Sequence, residues 1–104
     1  MKFGLKDETF DNVISVLAAH PEIEKAVIYG SRAKGNYKNG SDIDLTLYGE
    51  ALDFSLLSRI SSELYDLPIP HEVDLSIFTD IKNPDLVDHI RRVGQVFYEK
   101  PAKS

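Results

Sequence analysis

Phe10, Val13, Ile14 and Leu17 recur at the three-and-four spacing of one helical face, which predicts an amphipathic helix from about Asp7 to Ala19. Asp7 or Thr9 offers a cap and Pro21 a stop. The pattern then changes to a short apolar run, Ala26-Val27-Ile28-Tyr29, closed by Gly30, which predicts a buried strand over 25–29. Turn formers crowd Lys34 to Ser41 and predict a surface loop. Beyond it Ile43, Leu45 and Leu47 alternate with Asp42, Asp44, Thr46 and Tyr48, the two-residue period of a strand with one face in the core. Both aspartates consequently point the same way.

Asp53 is placed to cap a second helix, whose apolar stripe is Phe54, Leu57, Ile60 and Leu64 and which ends before Pro68-Ile69-Pro70. A third strand is predicted from Glu72 to Phe78. Asn83 as cap and Pro84 at the first helical position open a last helix through Leu86, Val87, Ile90 and Val93, with Gly94 as its C-terminal cap. Val96 to Tyr98 adds a short edge strand. Helices interleaved with these strands predict an α/β (α+β) sandwich, a small mixed sheet flanked by helices. The link between the first two strands is too short to fix the topology. Without repeats, low-complexity tracts or a linker, 1–104 reads as one domain with a loose tail at Pro101–Ser104.

The composition narrows the function. At 104 residues there is room for one hydrophobic core, and 42% hydrophobic with 28% charged residues is the balance of a soluble globular chain. No apolar run reaches the roughly 20 residues that span a bilayer, and no signal-peptide layout opens the chain. With no cysteine, disulfides and thiolate metal sites are excluded, so a cytoplasmic location is expected. A net charge of −5 argues against broad nucleic-acid binding. Yet Arg32, Lys34 and Lys38 fall in a stretch from Ala26 to Ser41 that holds no acid, and carboxylates follow at once. A small polyanion bridged by cations suits that boundary.

At strand spacing Asp42 and Asp44 stand about 7 Å apart on one face, close enough to share divalent cations. Magnesium takes oxygen ligands and completes its shell with substrate phosphates, so the pair suits a metal-nucleotide site. A plain surface pair is the alternative. Gly30-Ser31 closes an apolar strand and opens one helical turn at Arg32-Ala33-Lys34. Glycine lets a phosphate approach the backbone, and the serine hydroxyl and free N–H groups can donate to it. A strand-end glycine with a capping serine is the competing reading. His20, His71 and His89 lack metal-ligand spacing and read as structural or surface residues. The phenylalanines read as core, and Tyr37 stands in the glycine-rich loop, where it could stack on a base, face a partner or serve no role.

Gly30-Ser31, ten intervening residues, then Asp42-x-Asp44 match the signature of the polymerase β-like nucleotidyltransferase superfamily. More narrowly, Gly-Ser-Arg-Ala-Lys-Gly at 30–35 with Ser-Asp-Ile-Asp-Leu at 41–45 resembles the minimal nucleotidyltransferase (MNT) family. The resemblance covers most of the chain and implies that superfamily's fold. It also implies a third carboxylate on a later strand, where Asp74 in Val73-Asp74-Leu75 matches and Glu72, on the same face, is the substitute. Asp42, Asp44 and Asp74 are then the catalytic and metal-holding residues, for two Mg2+ ions. Gly30, Ser31, Arg32 and Lys34 are the nucleotide-binding ones, with ATP as substrate.

Larger relatives close the site with a second domain, for which this length leaves no room. The resemblance implies a partner instead: MNT proteins pair with small helical HEPN proteins in toxin-antitoxin systems and adenylylate a tyrosine of the toxin. The expected function is thus transfer of AMP from ATP to a hydroxyl of a HEPN toxin. The alternatives are an antitoxin that masks its partner without turnover and a small-molecule nucleotidyltransferase of the aminoglycoside type. Self-association is left open.

Overall fold

The computed structural model describes residues 2–38 and 40–102. Its elements run α1 (Asp7–Ala18), β1 (Lys25–Tyr29), α2 (Ser31–Lys34), β2 (Ile43–Tyr48), α3 (Phe54–Tyr65), β3 (Val73–Ile77), a 3-10 turn at Phe78–Asp80, α4 (Pro84–Val93) and β4 (Gln95–Glu99). The strands form one sheet in the order β3-β2-β1-β4. β1 is antiparallel to both of its neighbours, whereas β2 and β3 run parallel. The parallel pair requires a crossover, which α3 supplies.

Each face of the sheet takes different helices. Ala26, Ile28, Ile43, Leu45 and Leu47 point to the α1–α3 side and form the main core with Val13, Leu17, Ile60 and Leu64. Val27 and Tyr29 point the other way and meet Ile90 of α4, with Tyr48 and Phe78 packed alongside. The alternation that segregates Ile43, Leu45 and Leu47 into the main core therefore delivers Asp44 to the α4 side. Thr46, fully buried on that side, is satisfied by the Ser76 hydroxyl, which donates to it at 3.0 Å.

The helix ends differ from expectation in detail. Asp53 and Asn83 cap α3 and α4 with side-chain hydrogen bonds, as their positions predict. The N-cap of α1 is Lys6, without a side-chain bond, and neither Asp7 nor Thr9 takes that place: Asp7 lies within the first turn and Thr9 is buried in the helix. Gly94 is the C-cap of α4, but in extended and not left-handed geometry (φ −62°). Glycine is needed there for close approach, because a Cβ would lie 2.4 Å from the Ile90 carbonyl oxygen and 2.7 Å from Val27 Cγ1. Of the loose tail expected at 101–104, residues 103 and 104 lie outside the described residues. Among the described residues no helix is long and apolar enough to cross a membrane.

Candidate active site

β1 stops at Gly30, whose backbone (φ 76°, ψ −154°) occupies a region open essentially to glycine alone. The chain turns there directly into α2, and Gly35, left-handed at φ 85°, ends that single helical turn. Gly30 also lies against Asp44: a Cβ at position 30 would come within 2.5 Å of Asp44 Oδ2. The glycine turn and the acidic strand are thus brought together across the thirteen residues that separate Gly30 from Asp44.

Register completes the arrangement. Asp44 pairs with Tyr29 on one side and with Asp74 on the other, so the three side chains stand in a row on the α4 face. Asp42 precedes β2 by one residue with the same parity as Asp44. Ile43 N–H donates to the Glu72 carbonyl at 2.9 Å, which keeps this end of the strand pair closed. Asp74, not Glu72, is the register partner of Asp44. Asp42 and Asp74 are exposed, and Asp44 is half-buried. Burial first, then the charges of Asp74 and Asp42, push the Asp44 carboxyl above the usual aspartate range, with His89 opposing them.

Among the described residues no three acidic or histidine side chains converge to metal-ligand distances. The donor chemistry nevertheless fits magnesium. Three carboxylates supply hard oxygen ligands, and their mutual repulsion at Asp44 is what a divalent cation would relieve. Tyr29, at the other end of the row, is raised above the ordinary phenol range by burial and by the charges of Asp74 and Asp44, against a hydrogen bond with Ser76. Its hydroxyl stays protonated beside the acids.

The four residues expected to bind nucleotide divide. Ser31 and Lys34 stand on α2 next to Gly30, with Lys34 exposed. Arg32 is 3% exposed and points away into the fold. Its Nε and Nη2 donate to the Ser41 carbonyl at 3.1 and 2.8 Å, Nη1 donates to the Phe3 carbonyl at 2.9 Å, and Nη2 lies 3.2 Å from His71 Nδ1. The guanidinium also lies over the Tyr37 ring at 5.2 Å. Burial and the adjacent Arg32 charge push His71 below the usual imidazole range, so it accepts as the neutral ring. Arg32 therefore ties the turn to the residue just before Asp42, fixing the spacing of the two halves of the motif. Tyr37 packs over Gly4, where a Cβ would clash with its ring at 2.2 Å.

A test separates these roles for Arg32. Arg32→Lys, which cannot reproduce the fork, is expected to cost about 2–3 kcal/mol of stability by leaving carbonyls unpaired. A denaturant titration measures it. A side chain that served phosphate alone would leave stability unchanged and weaken only nucleotide binding.

His89, read from sequence as structural or surface, stands at the site: Gly30 N–H donates to its Nε2 at 3.2 Å. It comes from α4, 59 residues away in sequence, and no local spacing could have announced it.

A mixed sheet of this order, with helices on both faces, is the nucleotidyltransferase fold of polymerase β-like proteins. The chain belongs to the polymerase beta nucleotidyltransferase family, whose model matches residues 11–103. Among curated proteins, none matches the sequence. Among solved structures, a chain of a toxin-antitoxin complex with AMP-PNP superposes with a TM-score of 0.71 at 19% identity, covering 88% of this chain and 73% of that one. A chain of the complex between a tri-AMPylated HEPN toxin and its MNT antitoxin, from Shewanella oneidensis, gives 0.68 at 16% identity over 92% and 74%. A chain of the MntA-HepT toxin-antitoxin complex gives 0.67 at 16% identity over 91% and 74%. At these identities the likeness is one of fold.

Proposed function

We propose that this protein transfers AMP from ATP to a protein hydroxyl, a tyrosine of a HEPN-family partner, and acts as the antitoxin of that pair. The observation that carries the reading is the placement of Asp44 between Asp74 and Gly30, which sets an acidic row against a phosphate-type turn. The AMP-PNP and the AMPylated toxin of the similar complexes support the choice of nucleotide and acceptor.

In this reading Asp42, Asp44 and Asp74 hold Mg2+. When bound, the metal neutralises the triphosphate and lowers the pKa of the attacking hydroxyl. Gly30 lets the β and γ phosphates approach the chain, Ser31 donates to them, and Lys34 offsets their charge. Asp74 takes the proton of the incoming hydroxyl as its oxygen bonds to the α phosphorus. The bond from that phosphorus to the bridging oxygen breaks in line, and pyrophosphate leaves. Arg32 holds the turn against the acidic strand throughout. Asp42 and Asp74 lie exposed on the sheet face, and in this reading a docked acceptor would exclude water from them.

Incubation with the HEPN partner, ATP and magnesium, followed by intact-mass analysis, tests the reading. The partner is expected to gain AMP units, located on tyrosine by fragmentation. An unmodified partner that the chain nonetheless neutralises would replace catalysis with masking.

A further inference from the structure

We propose that His89 is a positioning residue that holds the Gly30 peptide, and through it the turn that meets the nucleotide phosphates. This rests on the nucleotidyltransferase reading and assigns that site a residue from α4, outside the motif. The need for it follows from the backbone. β1 is a central strand, but its ladder with β4 ends at Ile28↔Gln95, two residues before Gly30. As the chain swings out of the sheet at Gly30, its N–H leaves both ladders, and a donor left unpaired there would free the turn to relax. α4 immediately precedes β4 in the chain, so it lies beside the place where the β4 ladder stops.

Two packing features place α4, and one ring contact orients the imidazole. Ile90, 2% exposed, anchors α4 in the second apolar cluster. Gly94 lets the end of that helix close on Val27, which no residue with a Cβ could do. The Tyr29 ring meets the imidazole edge-on, with centroids 6.2 Å apart and planes at 82°. Nε2 is thereby aimed at the Gly30 N–H, which donates to it at 3.2 Å. His89 accepts from the Gly30 nitrogen, and Asp44 Oδ2 stands within 2.5 Å of where a Cβ on residue 30 would lie.

The full chain as His89→Leu and His89→Gln tests this. Glutamine can bring a carbonyl oxygen to the place of Nε2, whereas leucine fills the space without an acceptor. Amide hydrogen exchange at Gly30, followed by NMR, is expected to accelerate about tenfold in the leucine variant and to return to within about twofold of wild type in the glutamine variant. Calorimetric titration with magnesium and a non-hydrolysable ATP analogue should show affinity falling about fivefold to tenfold with leucine and recovering with glutamine. Unchanged Gly30 exchange in the leucine variant, or a glutamine variant no better than leucine, overturns the proposal. Wild-type protein that binds no nucleotide overturns the nucleotidyltransferase reading and the phosphate half of this one, while Gly30 exchange still decides whether His89 holds the peptide.

Discussion

Replacing Gly30 with alanine is expected to cut AMP transfer about a hundredfold while costing roughly 1–3 kcal/mol of stability. Two independent effects produce it. The backbone at φ 76° and ψ −154° is strained for any residue bearing a Cβ. The added methyl would also fall 2.5 Å from Asp44 Oδ2, so the carboxylate has to turn away from its place beside Asp74. Strain alone would lower the melting temperature and leave the rate of the folded fraction intact. Displacement of Asp44 lowers kcat even where the protein is fully folded, because a catalytic group moved by about 1 Å can lose two orders of magnitude. Steady-state kinetics well below the melting transition separate the two. A Gly30→Ala protein with unaltered kcat would show that the contact between turn and acid is incidental.

The same contact shows what local sequence can and cannot carry. Ile43–Tyr48 and the stripes of α3 and α4 follow from periodicity, because burial on one face imposes a repeat of two or of about 3.6, except that Phe54, expected in the α3 stripe and the core, stands exposed at the start of that helix; Lys25–Tyr29 follows from its unbroken apolar run, buried on both faces of the sheet. Parity also places Asp42 and Asp44 on one face before any strand partner is known. What parity leaves open is the neighbour. That Asp74 pairs with Asp44 depends on a parallel crossover through α3, and that Asp44 touches Gly30 depends on an antiparallel pairing closed by α2. Arg32 illustrates the limit. Its position in the motif suggests a phosphate ligand, and only the fold reveals carbonyls at Ser41 and Phe3 that engage its guanidinium. Gly94 marks a helix end correctly, but the reason is the nearness of Val27, a long-range fact. His89 is the extreme case, since its meaning lies wholly in a backbone donor on another element.

Asp44→Asn should abolish transfer and, in metal-free buffer at neutral pH, make the protein more stable. The first effect follows from removing a charged ligand at the centre of the acidic row, a loss of roughly 4 kcal/mol in the transition state, or about a thousandfold. The second follows from the raised proton affinity of Asp44: burial and the neighbouring acids make its ionised form unfavourable in the folded state. Below the ordinary aspartate value of 3.8 the carboxyl is protonated in folded and unfolded chains alike, so variant and wild type have equal stability. As pH rises past that value, the unfolded chain loses its proton first and wild type falls behind. The gap widens until the pH exceeds the raised value in the folded protein, and is constant above it. Water reaches the half-exposed carboxyl and screens it, which keeps the gap small. Added magnesium should narrow or reverse it, because a cation held by Asp42, Asp44 and Asp74 stabilises only the protein with the complete set. Melting curves at pH 3.5 and 7.5, with EDTA or with magnesium, measure all four corners. Equal stability of the two proteins at pH 7.5 in EDTA would mean that the acids do not strain one another, and a magnesium response as large in Asp44→Asn as in wild type would place the cation elsewhere.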